Sequence, residues 1–244
     1  MKEVAFFSRL TLKRDAAAVA PLIEVLAPKH AGEAMATGHR LLWTVMPEHV
    51  RAARATQESP FLWRAAGDGR KYYMLGPAPV SESPFFEVET KPFDPRFSSG
   101  DRLAFNLRVN ATVDRKTGEA DGRAVRARID VALDRMRAQE ANVGDAQAAS
   151  RAERRLPAAE AAAKEWLSTR AERDGFRLIT TKLDAYRAEV LPRRGKPARI
   201  GVFDLQGLLE ITAPEAFMSR LLCGFGRAKA FGCGLMLLRR APAQ

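Results

Sequence analysis

A chain of 244 residues can form one large domain or two small ones, and 46% hydrophobic with 28% charged residues is ordinary for a globular protein. Its 40 Lys and Arg residues against 29 Asp and Glu leave a net charge of +11. Nucleic acid is therefore the first partner to expect, because each neutralised phosphate releases counterions. An arginine-rich proteome would produce the same excess, so the charge by itself leaves this question open.

The composition argues against several other classes of protein. The two cysteines, Cys223 and Cys233, are too few for a disulfide scaffold and lack nearby histidines for a zinc site. The first residues lack the apolar core of a signal peptide, and no apolar run reaches transmembrane length. No cluster of Asp, Glu and His has metal-ligand spacing. We therefore expect a cytoplasmic protein with no cofactor, no metal site and no membrane partner.

The first part of the chain predicts strand, helix, strand, strand and strand. Residues 3–12 alternate between apolar and polar side chains, which is typical of a strand. Residues 31–46 favour a helix that ends before Pro47. Residues 61–77 predict two strands joined by a Gly-Asp-Gly turn, and residues 85–91 predict a further strand. A second helix in this part is weak or missing.

The second part follows a connector rich in Pro, Gly and Ser at 91–101, and it repeats the order more fully. We predict a strand at 102–110, a helix that begins at Pro157, strands at 176–191 and 198–211, a helix at 214–223 and a strand at 234–240. The resulting order, β-α-β-β-α-β, is that of the ferredoxin-like fold.

These elements together predict an α+β protein of two tandem ferredoxin-like, or RRM-like, domains. The first domain covers residues 1–92 and the second residues 101–244, with a linker at 93–100. We expect residues 131–156 to form a helical and partly mobile insertion in the second domain.

A glycine-rich segment, CGFGRAKAFGCGL, occupies Cys223–Leu235. It follows a helix and precedes a strand, the reverse of a dinucleotide-binding turn, and Ala230 after Lys229 excludes a Walker loop. Spacing alone supports two interpretations of this segment equally well. The turn could form an anion-binding concavity with Arg227 and Lys229, or it could be a helix C-cap at Gly224 followed by tight turns.

The stretch GFGRAKAFGCGLMLL resembles the C-terminal signature of the RAMP superfamily of RNA-binding proteins. In detail it is most similar to the CasE family, the CRISPR RNA endoribonucleases of type I-E Cascade complexes. The family pattern Gly-x-Gly-x-x-Lys-x-x-Gly-x-Gly-Leu is matched by Gly224, Gly226, Lys229, Gly232, Gly234 and Leu235. Similar stretches at 38–47, 102–110 and 165–178 extend the resemblance over nearly the whole chain. The resemblance implies two tandem ferredoxin-like domains.

His39 is the histidine inside a convincing predicted helix, beside an apolar stripe. On pattern alone such a residue is more often packed in a core than catalytic. The resemblance implies instead that His39 is the catalytic residue of a metal-independent cleavage that leaves 5′-hydroxyl and 2′,3′-cyclic phosphate ends. An imidazole with a pKa near ~6.5 can both take and give a proton near neutral pH. Some family members carry a tyrosine three residues earlier, where this chain has Ala36.

Basic residues form the expected RNA surface. Any single arginine is more often just solvated, but as a set these residues favour phosphate contact, and Arg126 and Arg128 share one strand parity. The expected contacts are Arg40, Arg108, Lys116, Arg123, Arg126, Arg128, Arg193, Arg194, Lys196 and Arg199, together with Gly224, Gly226, Arg227, Lys229, Gly232 and Gly234. Arg40, Arg227 or Lys229 could stabilise the scissile phosphate. The aromatic residues Phe61, Trp63, Tyr72 and Tyr73 are expected in the core instead.

The resemblance implies that the substrate is the stem-loop of the CRISPR repeat, which is cut at the 3′ base of its stem. The enzyme would then keep the 3′ hairpin of the crRNA and become a subunit among other Cascade subunits. The alternative is a non-catalytic RAMP subunit that binds RNA without cutting it. A ribosomal or tRNA-associated basic protein would explain the charge but not the terminal glycines.

Overall fold

The computed structural model describes residues 4–13, 17, 19–52, 60–67, 69–120, 123–142, 151–192 and 198–241. The strands are β1 (Phe6–Leu12), β2 (Leu62–Ala65), β3 (Lys71–Gly76), β4 (Phe86–Pro92), β5 (Arg102–Val109), β6 (Thr112–Ala120), β7 (Arg123–Asp130), β8 (Phe176–Leu191), β9 (Ala198–Ile211) and β10 (Met236–Arg240). The helices are α1 (Ile23–Leu26), α2 (Ala31–Trp43), α3 (Glu48–Ala52), α4 (Val131–Asn142), α5 (Arg151–Ala171) and α6 (Pro214–Cys223), with 3₁₀ turns at Ala20–Leu22 and Lys229–Phe231. None of the helices in the described part of the chain is long and apolar enough to cross a membrane.

Two four-stranded sheets have the same strand order. The first runs β2-β3-β1-β4, in which β1 pairs antiparallel with both β3 and β4. The second runs β10-β5-β9-β8. Numbered within its own sheet, each has the order 2-3-1-4 or its reverse, which is the ferredoxin-like arrangement. The predicted α+β class with two tandem ferredoxin-like domains is therefore confirmed.

The strands β6 and β7 form a separate two-stranded hairpin. It lies in the chain between the first strand and the long helix of the second ferredoxin-like repeat. The register pairs Lys116 with Arg126 and Asp114 with Arg128, and a bulge interrupts it between Lys116 and Gly118. Because side chains on one strand alternate between faces, Arg126 and Arg128 share a face of this hairpin, as their spacing predicted.

Some predicted boundaries differ from the observed ones. The helix predicted at 31–46 ends at Trp43, and the strand predicted at 3–12 spans Phe6–Leu12. The long helix does not begin at Pro157, because the helix-forming residues Arg151–Leu156 extend it by six residues and place the proline inside. Of the predicted insertion at 131–156, α4 and the start of α5 are helical, and residues 143–150 lie outside the described residues.

The chain divides into two compact units that interleave in sequence. Unit 1 contains Met1–Phe97, Glu189–Ile200 and Met218–Met236. Unit 2 contains Ser98–Ala188, Gly201–Phe217 and Leu237–Gln244. The predicted domain boundaries follow chain order, whereas in space the glycine-rich segment near the C-terminus groups with the first ferredoxin-like sheet.

The core of unit 1 lies between α2 and one face of the first sheet. Gly38 makes this packing close, because a Cβ atom there would lie 2.7 Å from the ring of Trp63. Burial of large apolar side chains on both sides stabilises this interface. The core is formed by Leu10, Leu12, Val19, Leu41, Leu42, Trp43, Val45, Met46, Phe61, Trp63, Tyr72, Met74 and Phe86.

In unit 2, the carboxylate of Asp130 lies at the start of α4 and is partly buried. Oδ1 of Asp130 accepts hydrogen bonds from the backbone N–H groups of Ala132 (2.8 Å) and Leu133 (3.1 Å) and from the hydroxyl of Tyr186 (3.0 Å). Oδ2 is buried without a hydrogen-bond partner among the described residues. A Cβ at position 201 would lie 1.6 Å from Oδ2, so Gly201 leaves the space that this oxygen occupies. Asp130 thus caps a helix but keeps one oxygen unsatisfied.

This arrangement predicts a pH-dependent contribution to stability. Burial raises the pKa of Asp130 above its ordinary value of 3.8, although its hydrogen bonds and Arg155 act in the opposite direction. A raised folded-state pKa means that the folded chain binds the proton more tightly, so the contribution of Asp130 falls as the pH rises from about 4 towards neutral. Asp130→Asn keeps a good N-cap residue without a charge. We expect the free energy of unfolding of the wild type, relative to Asp130→Asn, to decrease over this range in urea titrations, and a constant difference would contradict the assignment.

Candidate active site

His39 lies near the C-terminal end of α2, at the edge of the buried face. The preceding Gly38 is buried against the sheet, His39 is half-buried and Arg40 is exposed. Exposure increases along these three residues because successive side chains on a helix point about 100° apart, so they turn from the core towards solvent. The imidazole is therefore neither fully enclosed nor free of the protein.

Aromatic rings surround the imidazole of His39. Its Nε2 accepts a hydrogen bond of 3.1 Å from the indole Nε1 of Trp43, one helical turn later. The ring centroids of His39 and Phe61 are 5.7 Å apart, and those of Trp43 and Phe61 are 5.4 Å apart. These neighbours hold the ring of His39 in one orientation. Sequence reasoning named Trp43 as a helical neighbour but assigned it no role, although its i+4 spacing from His39 was visible.

The glycine-rich segment of unit 1 packs on both faces of the edge strand β2. A Cβ on Gly224 would lie 2.6 Å from the side chain of Leu62, and one on Gly232 would lie 3.2 Å from Trp63. Because Leu62 and Trp63 are adjacent in a strand, their side chains point to opposite faces. The segment therefore wraps around the edge of the first sheet, which also shields an edge strand from further pairing.

The backbone of this segment needs conformations that favour glycine. Gly224, Gly226, Gly232 and Gly234 have φ of +75°, +66°, +76° and +97°. The N–H of Gly224 donates to the carbonyl of Arg220 at 2.8 Å and ends α6, as the C-cap interpretation predicts. The N–H of Phe225 donates to the carbonyl of Gly234 at 2.9 Å and closes the segment into a compact loop.

A cleft of about 600 Å³ opens beside this loop within unit 1. Phe61, which contacts His39, belongs to its wall. Arg227 is exposed and Lys229 half-buried at the cleft, and the 3₁₀ turn that contains Lys229 packs directly against α2. The full lining is Pro60, Phe61, Leu62, Leu222, Cys223, Gly226, Arg227, Ala228, Lys229 and Ala230. Tertiary packing thus brings the histidine-bearing helix and the lysine-bearing turn together.

Two other predicted contacts of unit 1, Arg40 and Arg199, can be placed. Arg40 is exposed, and its Nη2 donates to Oγ1 of Thr37 at 3.1 Å. A Cβ on Gly32 would lie 1.9 Å from the carbonyl oxygen of Val190, so the far end of β8 approaches the first turn of α2 closely. Arg199 is exposed at the start of β9. Arg193, Arg194 and Lys196 lie outside the described residues.

The predicted contacts of unit 2 are mostly engaged with carboxylates. Arg108 donates to Asp204 at 2.8 Å, and Arg187 bonds the same carboxylate. Lys116 forms an ion pair with Glu119, and Arg128 forms one with Asp114 at 3.4 Å. Arg123 and Arg126 are exposed. As RNA contacts, all of these residues stay predictions.

The predicted aromatic core and the cysteines can also be placed. Phe61, Trp63 and Tyr72 are buried, as expected. Tyr73 is instead half-buried on the outer face of the sheet, where its ring stacks on Phe7 at 5.9 Å. Cys223 is exposed and Cys233 is buried, and neither forms a disulfide. In the part of the chain that the structure describes, no group of three or more His, Cys, Asp or Glu residues is arranged to hold a metal ion.

A comparison with models of known protein families identifies the family of this chain. The model of a family described as CRISPR associated protein matches residues 5–240. The chain belongs to this CRISPR-associated protein family. A comparison with curated protein sequences gave no significant match. The predicted kinship with CRISPR proteins is thus confirmed.

Solved structures of CRISPR proteins share the fold. A CRISPR endoribonuclease Cse3 bound to a 19-nucleotide RNA is 22% identical, with a TM-score of 0.61 over 98% of this chain and 100% of the other. Thermus thermophilus Cse3, bound to an RNA representing a pre-cleavage complex, is 23% identical with a TM-score of 0.61 over 98% and 100% of the chains. Cas6e from Escherichia coli is 19% identical with a TM-score of 0.60 over 97% and 100%. At these identities the likeness establishes the common fold.

The loop geometry predicts a cost for adding a methyl group at Gly234. A Cβ there would lie 2.7 Å from the carbonyl oxygen of Phe225, and φ is already +97°. Gly100 is a matched control with φ +91° and no atom within 4 Å of the added Cβ. We expect Gly100→Ala to lower the free energy of unfolding by about 1–2 kcal/mol for the left-handed backbone. Gly234→Ala should cost at least about 1 kcal/mol more because of crowding. Equal losses in urea titrations would show that the close approach is absent.

Proposed function

We propose that this chain is the endoribonuclease that processes CRISPR precursor RNA in a type I-E Cascade complex. It cuts at the base of the repeat stem-loop, keeps the 3′ hairpin of the crRNA and stays in the cytoplasm as a subunit beside other Cascade subunits. The observation that carries this proposal is the direct packing of the His39 helix against the Lys229 turn, in a chain of the CRISPR-associated family. The RNA-bound Cse3 structures with the same fold support it.

The reaction uses the nucleophile that RNA itself supplies. The 2′-hydroxyl loses its proton, O2′ forms a bond to phosphorus, the bond from phosphorus to O5′ breaks, and O5′ takes up a proton. The products are a 2′,3′-cyclic phosphate and a 5′-hydroxyl. His39 is the group that exchanges these protons, since a neutral imidazole accepts one and an imidazolium gives one near neutral pH. Protein groups suffice for each step of this scheme, so we propose that no metal ion takes part.

Lys229 is the best candidate to stabilise charge on the phosphate. Its turn contacts α2, and its Cγ lies 3.4 Å from the position of a Cβ on Gly234, so its aliphatic stem packs on the loop. Arg227 is more exposed, and Arg40 is bonded to Thr37. A cation held beside the reacting phosphate favours the transition state, in which charge accumulates on the oxygens. The side chain at position 36 is only a methyl group, so Ala36 adds nothing to this chemistry.

Binding of the stem is proposed to depend on phosphate contacts. A-form RNA hides the base edges of its major groove, so a stem is recognised mainly through its shape and backbone. Exposed Arg40, Arg199 and Arg227 belong to unit 1 together with the candidate active site. The basic residues of unit 2 and those of residues 193–197 are proposed to extend this contact.

His39→Ala tests the catalytic assignment. With a repeat hairpin RNA, excess protein and EDTA, we expect the single-turnover cleavage rate to fall by about 10²–10⁴-fold, because general acid–base catalysis contributes that much. The Kd for the RNA should change little, since one neutral imidazole contributes little to phosphate binding. His49→Ala, on exposed α3, is the matched control and should cleave like the wild type.

Three results would contradict the proposal. Cleavage by His39→Ala at the wild-type rate would remove the histidine from the reaction. Tight binding without cutting by the wild type would favour the non-catalytic RNA-binding subunit, and cutting only after Mg²⁺ is added would exclude metal-independent chemistry.

Lys229→Gln and Arg227→Gln separate chemistry from binding. We expect Lys229→Gln to slow single-turnover cleavage by about 10²–10³-fold, as loss of one charge-stabilising donor does in other enzymes, with a small change in Kd. Arg227→Gln should mainly weaken binding and reduce its salt dependence by about one counterion. Titration of RNA at several salt concentrations and rates at saturating protein measure both effects. Reversed roles for the two variants would overturn the assignment of Lys229.

A further inference from the structure

The hydrogen bond between Trp43 and His39 has a chemical consequence for the imidazole. Both residues lie on α2, and the indole Nε1 is 3.1 Å from Nε2 of His39. An indole N–H can only donate, so Nε2 must carry a lone pair while this bond is formed. A neutral imidazole then carries its proton on Nδ1. Trp43 is 5% exposed, so its N–H is also shielded from water.

We propose that Trp43 is a positioning residue that holds His39 as the neutral Nδ1–H tautomer and fixes the orientation of its ring. The inference rests on the proposed catalytic role of His39 and specifies how that residue is prepared for it. The rings meet edge to face, with centroids 6.2 Å apart at an interplanar angle of 78°, and Phe61 contacts both of them. One donor and one packed ring thus limit both the tautomer and the rotation of the imidazole.

The same bond favours the neutral form of the imidazole. Protonation at Nε2 removes the lone pair, so the bond breaks and the buried indole N–H loses its acceptor. A hydrogen bond that only the neutral form can accept lowers the pKa of the acceptor. In the resting state the only basic lone pair of His39, on Nε2, is therefore held by Trp43, and this bond has to break before Nε2 can take the proton from the 2′-hydroxyl.

Charged groups on the surrounding elements act on the same equilibrium. Lys229, on the 3₁₀ turn packed against α2, Arg227 in the same loop and Arg40 on α2 itself all favour the neutral imidazole. Glu24, on α1, which also packs against α2, acts in the opposite direction. A substitution at Trp43 leaves these four charges in place, so its effect isolates the indole.

The test compares Trp43→Phe with Trp63→Phe by NMR titration of the imidazoles. Trp63 is equally part of the unit 1 core, but its Nε1 has no hydrogen-bond partner among the described residues. Trp63→Phe therefore removes an indole without removing a bond. We expect Trp43→Phe to raise the pKa of His39 by about one unit, as loss of one net hydrogen bond implies. It should also shift the ¹⁵N signals away from a pure Nδ1–H tautomer, and Trp63→Phe should change neither property.

Replacement of Trp43 alone by 3-benzothienylalanine keeps the bicyclic shape and exchanges the N–H for sulfur. It tests the same prediction if Trp43→Phe fails to fold. The acid limb of the pH–rate profile for cleavage should move up by the same unit in either variant. An unchanged pKa and tautomer in a folded Trp43 variant would overturn the inference, whatever the RNA does. An NMR shift as expected together with full activity of His39→Ala would uphold the role of Trp43 and refute the proposed function instead.

Discussion

The candidate site depends on one steric constraint, the close fit of the glycine-rich loop around the edge strand β2. Gly224 fits against Leu62 on one face, and Gly232 fits against Trp63 on the other. Side chains at these two positions would meet buried atoms and an unfavourable φ at the same time. Because the loop lies this close, the turn that carries Lys229 packs on α2.

Two glycines on α2 also allow close packing in unit 1. Gly38 allows the helix to approach the ring of Trp63, and Gly32 allows the carbonyl of Val190 to approach the helix. Glycine in a helix interior costs about 0.5–1 kcal/mol relative to alanine, so Gly38 trades helix stability for close packing. His39 directly follows Gly38, so it lies where the backbone of α2 packs against the aromatic rings of the sheet.

The basic excess of the chain is only partly available to a partner. In unit 2, Asp204 and Glu210 each accept from two arginines, and the carboxylates hold those guanidinium groups in fixed positions. In exposed pairs such contacts add little to stability. They do orient the arginines, and each cluster of two arginines and one carboxylate keeps a net positive charge. The formal charge of +11 therefore describes the protein as a whole better than it describes any one surface.

The sequence by itself determined the ferredoxin-like order of strands and helices, the glycine pattern of the loop and the helix of His39, because alternation, helical period and glycine spacing act over a few residues. The start of α5 was misplaced, since helix propensity upstream of Pro157 outweighs the preference of proline for a first turn. Only the tertiary structure decided that Met218–Met236 joins unit 1, that the 3₁₀ turn of Lys229 packs against α2, and that Trp43 bonds His39. These relations join residues far apart in the chain, or depend on rotamers that packing selects, so no local pattern contains them.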